Sequence, residues 1–559
     1  MKTHNKNRVS YDYIILAVIL VFSAFLYYSF AALPQPANDD IYYMETAYSL
    51  VSGGPILASY PYSVVYGVVF PLALLYKLFG FSMYAGIYYQ ILLTLISTLL
   101  VYKIAKLYSR YSGIISAAIF AFLPAVIGTS NVISPDMFTL ACALAALFLL
   151  LKYRSYKSDY SNTLHGDVLL VSSGFLSFAS TFGSFLGYVF LVFYIISSAY
   201  LLFNSHRGKK FLFALFGVVL GFLISIPPSY LLSNDIYLAF VVGGHARYPF
   251  LVSNWDLARF LAYGTGIQPS SVSGSLNGLF SNMTATFFLV PNTAIRYPAV
   301  IEFDWPYAYG FLFYLLLISF FIIFKYKKIK RSGFLITWAL FMGLPQLFIL
   351  ILLILDKNLV YYFSTFLANI AYFRFELLLV TPLIIICGYA LSEYMIGGKN
   401  RSRMKKHLLP YAIVVVLVLV TVAIGIYSSA LYSQKNIFIT NIYYYGVKQL
   451  ATELHGLNVG NSPGVYLQSI MVPGVSGMQD IMFYSSLYGL NPNDFKNLPN
   501  TCEQLPDNAY VVLEKGVQEQ VPGYHFNAKD FFANCTDVSI IYNTSNNESN
   551  YNYTLYRIN

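Results

Sequence analysis

Charge is what this chain has least of. Asp, Glu, Lys and Arg make up 10% of its 559 residues, against about 25% in a soluble globular protein. That shortage excludes a fully solvated surface, and a hydrophobic content of 57% points to a polytopic membrane protein. Acids are the scarcer sign, 24 against 34 bases, leaving a net charge of +10. The bases fall in short clusters between apolar runs, so the balance reflects membrane topology and not a nucleic-acid patch. Cysteine numbers only four, with no zinc-like spacing. No fixed-period repeat is visible, which excludes a solenoid. The middles of the apolar runs are nearly free of charge, and so lack the usual mark of a transporter.

Aromatic residues, by contrast, are abundant: 52 Tyr and 46 Phe help to bring the share to 18%. They suit interfacial anchoring, and tyrosine can also hydrogen-bond a sugar. Apolar runs at residues 13–32, 83–101, 113–128, 137–151, 168–182, 185–203, 211–226, 309–324, 333–355, 373–396 and 408–427 predict about eleven spanning helices. The cationic clusters Lys103/Lys106/Arg110, Lys152/Arg154/Lys157, Arg207/Lys209/Lys210, Lys325–Arg331 and Lys399–Lys406 then share one side, with the N-terminus cytoplasmic and the C-terminus outside. Residues 63–79 predict a helix along the outer leaflet, because no basic loop separates them from the next span. A long external loop runs from about 229 to 307. Residues 429–559 are polar and rich in Asn, Pro and Gly. They predict a small extracytoplasmic α/β domain, separate from a membrane domain at 1–428. Its sequons at Asn534, Asn543, Asn547 and Asn552 and a predicted Cys502–Cys535 disulfide agree with that side.

The scarce acids are the informative residues. Asp39 and Asp40 follow the first span across Pro34 and Pro36, and a carboxylate pair at a membrane exit is costly to keep without a use. Asp136, in the short external turn Ser134-Pro135-Asp136, emerges on the same predicted face, although it also suits plain helix capping. Arg374, at the start of a later span, can clamp a phosphate. A carboxylate to take a proton, a cation and an interfacial groove together suit glycosyl transfer from a lipid-linked phosphate sugar.

This ordered set resembles the GT-C superfamily of membrane glycosyltransferases, most closely its protein O-mannosyltransferase and lipid A aminoarabinose transferase branch. The likeness rests on Asp39-Asp40 after helix one, Tyr60-Pro61 before an amphipathic stretch ending Lys77-Leu78-Phe79-Gly80, and Asp136 after a basic turn. It covers about residues 13–150, with a weaker likeness to about 400. The resemblance implies a GT-C-type helical fold and inverting transfer from a polyprenyl or dolichyl phosphate sugar to a protein, lipid or glycan acceptor. It makes Asp39 the leading catalytic acid, Asp40 the alternate and Asp136 a second acceptor-side acid. Arg374 becomes a phosphate ligand, and Tyr60 and Tyr62 line the substrate groove. Relatives carry Lys-Pro-Pro or Tyr-Pro-Pro where this chain has Tyr60-Pro61-Tyr62. His245, Arg247 or Lys77 would then replace the missing phosphate-contacting lysine, although Lys77 also suits snorkelling. The oligosaccharyltransferase Trp-Trp-Asp-Tyr-Gly motif is absent. No metal or other cofactor is implied, while Asp39, Asp40 and Asp136 carry the oxygen ligands that Mg²⁺ or Mn²⁺ takes. The competing class is a transporter or flippase of a lipid-linked or small polar substrate.

Overall fold

The computed structural model describes residues 3–31, 39–52, 65–155, 163–184, 186–233, 312–326, 332–344, 377–397, 408–457, 464–467, 495–499, 501–514, 531–533, 535, 537–543 and 553–559. Helices dominate the first part: α1 (Thr3–Ser29), α2 (Asp39–Ser52), α3 (Tyr66–Phe79), α4 (Met83–Lys106), α5 (Arg110–Ala121), α6 (Pro124–Ser130) and α7 (Pro135–Ser155). Then come α8 (Leu164–Ala179), α9 (Leu186–Phe203), α10 (Phe211–Ser233), α11 (Leu312–Lys325), α12 (Ser332–Leu344), α13 (Leu377–Gly397) and α14 (Leu408–Gly456). Among the described residues, seven helices are long and apolar enough to cross a membrane, or eight if α5 and α6 count as one broken span. The protein is a multi-pass membrane protein. The predicted segments at 309–324 and 333–355 appear as shorter apolar helices, and residues 345–355 lie outside the described residues.

The predicted single span at 113–128 is corrected: it is two helices, bent by 62° between Ala121 and Pro124. Proline has no N–H to give and its ring clashes with the preceding turn, so a helix ending before Pro124 is the expected outcome. The break leaves carbonyls of α5 without helical partners. The buried Tyr27 hydroxyl of α1 donates to one of them, Ala121 O, at 2.8 Å. Tyr27→Phe is therefore expected to cost about 1–3 kcal/mol, read as a lower melting temperature of the purified protein. At the other end of α1, Arg110 holds Asp12 with two bonds, Nε to Oδ2 at 2.8 Å and Nη2 to Oδ1 at 3.0 Å. α1 is thus tied to both ends of α5.

Glycines set the closest helix approach. In α8 and α10 a Cβ on Gly174 would lie 1.9 Å from Ala214 O, and one on Gly217 would lie 2.0 Å from Val171 O. Gly217 and Gly221 form a small-xxx-small face, which lets two membrane helices pack backbone to backbone.

The last helix also departs from expectation. The polar boundary placed at 428/429 does not end it, and α14 runs 49 residues to Gly456. Near its end, buried Leu450, Ala451 and Leu454 join the core that contains Val465, Tyr510, Tyr553 and Leu555. Those residues belong to a five-stranded sheet of order β2-β1-β3-β5-β4, made of β1 (Val465–Leu467), β2 (Phe495–Asn497), β3 (Tyr510–Glu514), β4 (Val538–Asn543) and β5 (Tyr553–Ile558). β1 is parallel to β2 and β3, while β5 is antiparallel to β3 and β4. A disulfide joins Cys502 to Cys535 and packs beside Leu505, Val511 and Phe531.

Candidate active site

The best-built polar cluster surrounds the first turn of α7. Pro135 opens that helix, a position where a missing N–H costs nothing. Ser134 precedes it, and its Oγ accepts from Asp136 N at 3.2 Å, a capping bond for an orphan donor. The same hydroxyl donates to Asp136 Oδ2 at 2.6 Å. A carboxylate in the first turn of a helix is further favoured by the helix dipole.

Three neighbouring elements fix this turn. From α4, Gln90 Nε2 donates to Ser134 O at 2.7 Å, and both residues are buried. One position earlier, Tyr89 OH donates to Gly67 O at 2.5 Å, which ties α4 to the start of α3. From the far side, Thr139 Oγ1 donates to Ser180 O at 3.0 Å and accepts from Ser184 N at 2.9 Å. Close approaches tighten the arrangement. A Cβ on Gly67 would meet the Phe138 ring at 2.2 Å, one on Gly86 would meet Ile133 at 2.2 Å, and one on Gly183 would meet Pro135 O at 2.4 Å. Tyr66 and Phe182 pack edge to face with centroids 5.9 Å apart. Asn131, Ile133, Ser134, Pro135 and Asp136 of the predicted external turn are buried, because α4 and the segment after α8 cover them.

Residues 66–231, less than a third of the chain, match the profile described as dolichyl-phosphate-mannose-protein mannosyltransferase. No curated protein matches it. Among solved structures, ArnT from Cupriavidus metallidurans in the apo state is similar with a TM-score of 0.51 and 11% identity, over 99% of this chain and 98% of that one. The same protein bound to undecaprenyl phosphate gives 0.49 and 12%, over 98% of both chains. The oligosaccharyltransferase AglB from Archaeoglobus fulgidus, in complex with an inhibitory peptide and a dolichol-phosphate, gives 0.47 and 12%, over 88% of this chain and 62% of that one.

This chain has a GT-C-type fold, that of ArnT. The profile match begins after Asp39 and lies within the predicted stretch of resemblance, running from its stronger part into its weaker one.

Within the GT-C fold, Asp39 and Asp40 open α2, so they sit on a helix and not in a loop. Buried Tyr43, Met44 and Ala47 of α2 share a core with Val65, Val68, Val69 and Leu72 of the α3 region. The Asp39 turn and the Asp136 turn are thus both carried by elements that pack on α3. Lys77 is exposed in the last turn of α3, about 15 Å of helix from Gly67, and nothing brings it to Asp136. Tyr60, Tyr62, His245, Arg247 and Arg374 lie outside the described residues. No group of three or more His, Cys, Asp or Glu side chains suited to a metal occurs among the described residues. Tyr89, Gln90, Thr139 and Gly183 were not anticipated from the sequence. The available signal was Gln90 itself, an amide inside an otherwise apolar span.

Proposed function

We propose that this protein is an inverting glycosyltransferase that takes a sugar from a polyprenyl phosphate donor and passes it to a protein, lipid or glycan hydroxyl at the outer membrane face. The observation that carries the reading is the buried, hydrogen-bonded Asp136 turn, packed against the same helix as the Asp39 turn in a GT-C fold. In the proposed reaction Asp39 accepts the acceptor hydroxyl's proton as that oxygen attacks the anomeric carbon. The bond from that carbon to the phosphate oxygen breaks on the opposite face, the electron pair leaves with the phosphate, and the configuration inverts. Asp136 orients the acceptor, with Asp40 as the alternate acid. Arg374, with His245, Arg247 or Lys77, offsets the charge on the leaving phosphate, and Tyr60 and Tyr62 line the groove. No metal is required in this scheme, although the three acids could hold Mg²⁺ or Mn²⁺. The N-terminus lies in the cytoplasm and the sheet domain outside. A transporter of lipid-linked substrate is the second reading. It is disfavoured by the absence of acids from the middles of the spans.

The test uses the full chain in nanodiscs with dolichyl phosphate-[³H]mannose and undecaprenyl phosphate sugars as probes, and solubilised membranes as the acceptor source. Release of free polyprenyl phosphate with an inverted product linkage is expected. Movement of intact donor between leaflets, with the sugar–phosphate bond unbroken, would establish the transporter instead.

A further inference from the structure

We infer that Gln90 and Ser134 are positioning residues that together set the Asp136 carboxylate. The inference rests on the glycosyltransferase reading above, since it gives Asp136 a substrate to meet.

Burying an amide in an apolar helix costs about 1–3 kcal/mol unless its bonds are made. Gln90 is fully buried on α4; its Nε2 donates out of its own helix, to the backbone of the segment entering α7, while its Oε1 has no hydrogen-bond partner among the described residues. A leucine of similar volume would fill the space without that cost. What the amide adds is a fixed position for Ser134. Ser134 in turn binds Asp136 twice, through the backbone N–H and the carboxylate. The chain of contacts runs Gln90, Ser134, Asp136, every member buried.

The face of α4 that makes this contact is specialised along its length. One turn before Gln90, Gly86 leaves just enough room for Ile133, so the α4 backbone and the 131–134 segment are in close contact. Beside Gln90, Tyr89 holds the first turn of α3 through Gly67 O, and Gly67 in turn packs on Phe138, one half-turn after Asp136. Two consecutive side chains of α4 therefore hold the start of α3 and the segment that enters α7. A rotamer change at Asp136 has to break the Ser134 bond, and a shift of Ser134 has to break the Gln90 bond. The arrangement fixes a carboxylate that a short loop would otherwise leave free to turn.

The experiment compares Gln90→Met, Ser134→Ala and Ser134→Thr in the full chain, with dolichyl phosphate-[³H]mannose as probe and released dolichyl phosphate as readout. Methionine keeps the volume of Gln90 and removes its donor. Gln90→Met and Ser134→Ala are expected to lower kcat about 10- to 100-fold while leaving the KM for donor within about twofold. Ser134→Thr, which keeps the hydroxyl, is expected to restore most of the rate. The double variant Gln90→Met/Ser134→Ala is expected to be no slower than the worse single, because the contacts act in series. Wild-type kcat in Gln90→Met, or equal damage from Ser134→Ala and Ser134→Thr, would overturn the inference. Asp136→Asn run in parallel separates the two levels. If it too retains full activity, the glycosyltransferase assignment of the site is at fault; if it alone is inactive, only the positioning role is. Should Ser134→Ala fail to accumulate, Gln90→Met decides.

Discussion

Asp39→Asn is expected to lower sugar transfer by about 10²- to 10⁴-fold, with the protein still folded and inserted. Asparagine keeps the size of the side chain and removes the proton acceptor, so the loss falls on kcat. Asp136→Asn is expected to act in the same direction. Asp40→Asn provides the contrast. Both acids belong to the first turn of α2, and neighbouring residues on a helix diverge by about 100°, so the two cannot face one ligand alike. If Asp39 meets the acceptor, Asp40→Asn should retain most of the rate. The measurement is release of free polyprenyl phosphate from labelled donor at saturating donor concentration. A wild-type rate in Asp39→Asn would remove the proposed base. A loss in Asp40→Asn alone would move the role by one residue.

Gly217→Val is expected to be the most damaging change away from that site. An added Cβ would meet Val171 O at 2.0 Å, and the next nearest atoms, Phe175 N and Val171 C at 2.9 Å, are also backbone. A flexible side chain can move aside, but a helix backbone can only be displaced as a whole. Overpacking of this kind costs about 1–3 kcal/mol and sometimes more. Here the contact is reciprocal, since Gly174 approaches Ala214 O just as closely, so separating α8 from α10 loses both contacts. The expected result is a drop of several degrees in melting temperature or loss of monodisperse protein on size-exclusion chromatography, with Gly217→Ala milder. An unchanged melting temperature in Gly217→Val would mean that the helices can part at little cost.

The legibility of the sequence followed the physics of each signal. Long apolar runs map directly onto spanning helices, which is why α1, α4, α7, α9, α10 and α13 lie where hydropathy puts them. Hydropathy is blind to direction, so it merged α5 and α6 although Pro124 stood in the run. It placed the apolar part of α14 at 408–427 but not the polar continuation to Gly456, which no apolar run marks. Asp39 and Asp40 looked like loop residues after Pro34 and Pro36. The helix begins with them, as acids at a helix start favour. The acid at 136 was legible, but its burial was not. Burial there depends on Gln90 and the segment 180–184 meeting this turn from elements far apart in sequence, and no local pattern announces such contacts.

One feature of the last helix has mechanical meaning. A Cβ on Gly425 would lie 1.9 Å from Phe122 O, so α14 bears directly on the kink between α5 and α6. From Gly425 to Leu450, where the helix joins the sheet's core, the α-helical rise amounts to about 38 Å. That is a lever with its fulcrum at the kink. A tilt of a few degrees at Gly425 swings the sheet by a few ångströms, so pressure from a docked macromolecule on the sheet would be felt at the corner that Tyr27 braces.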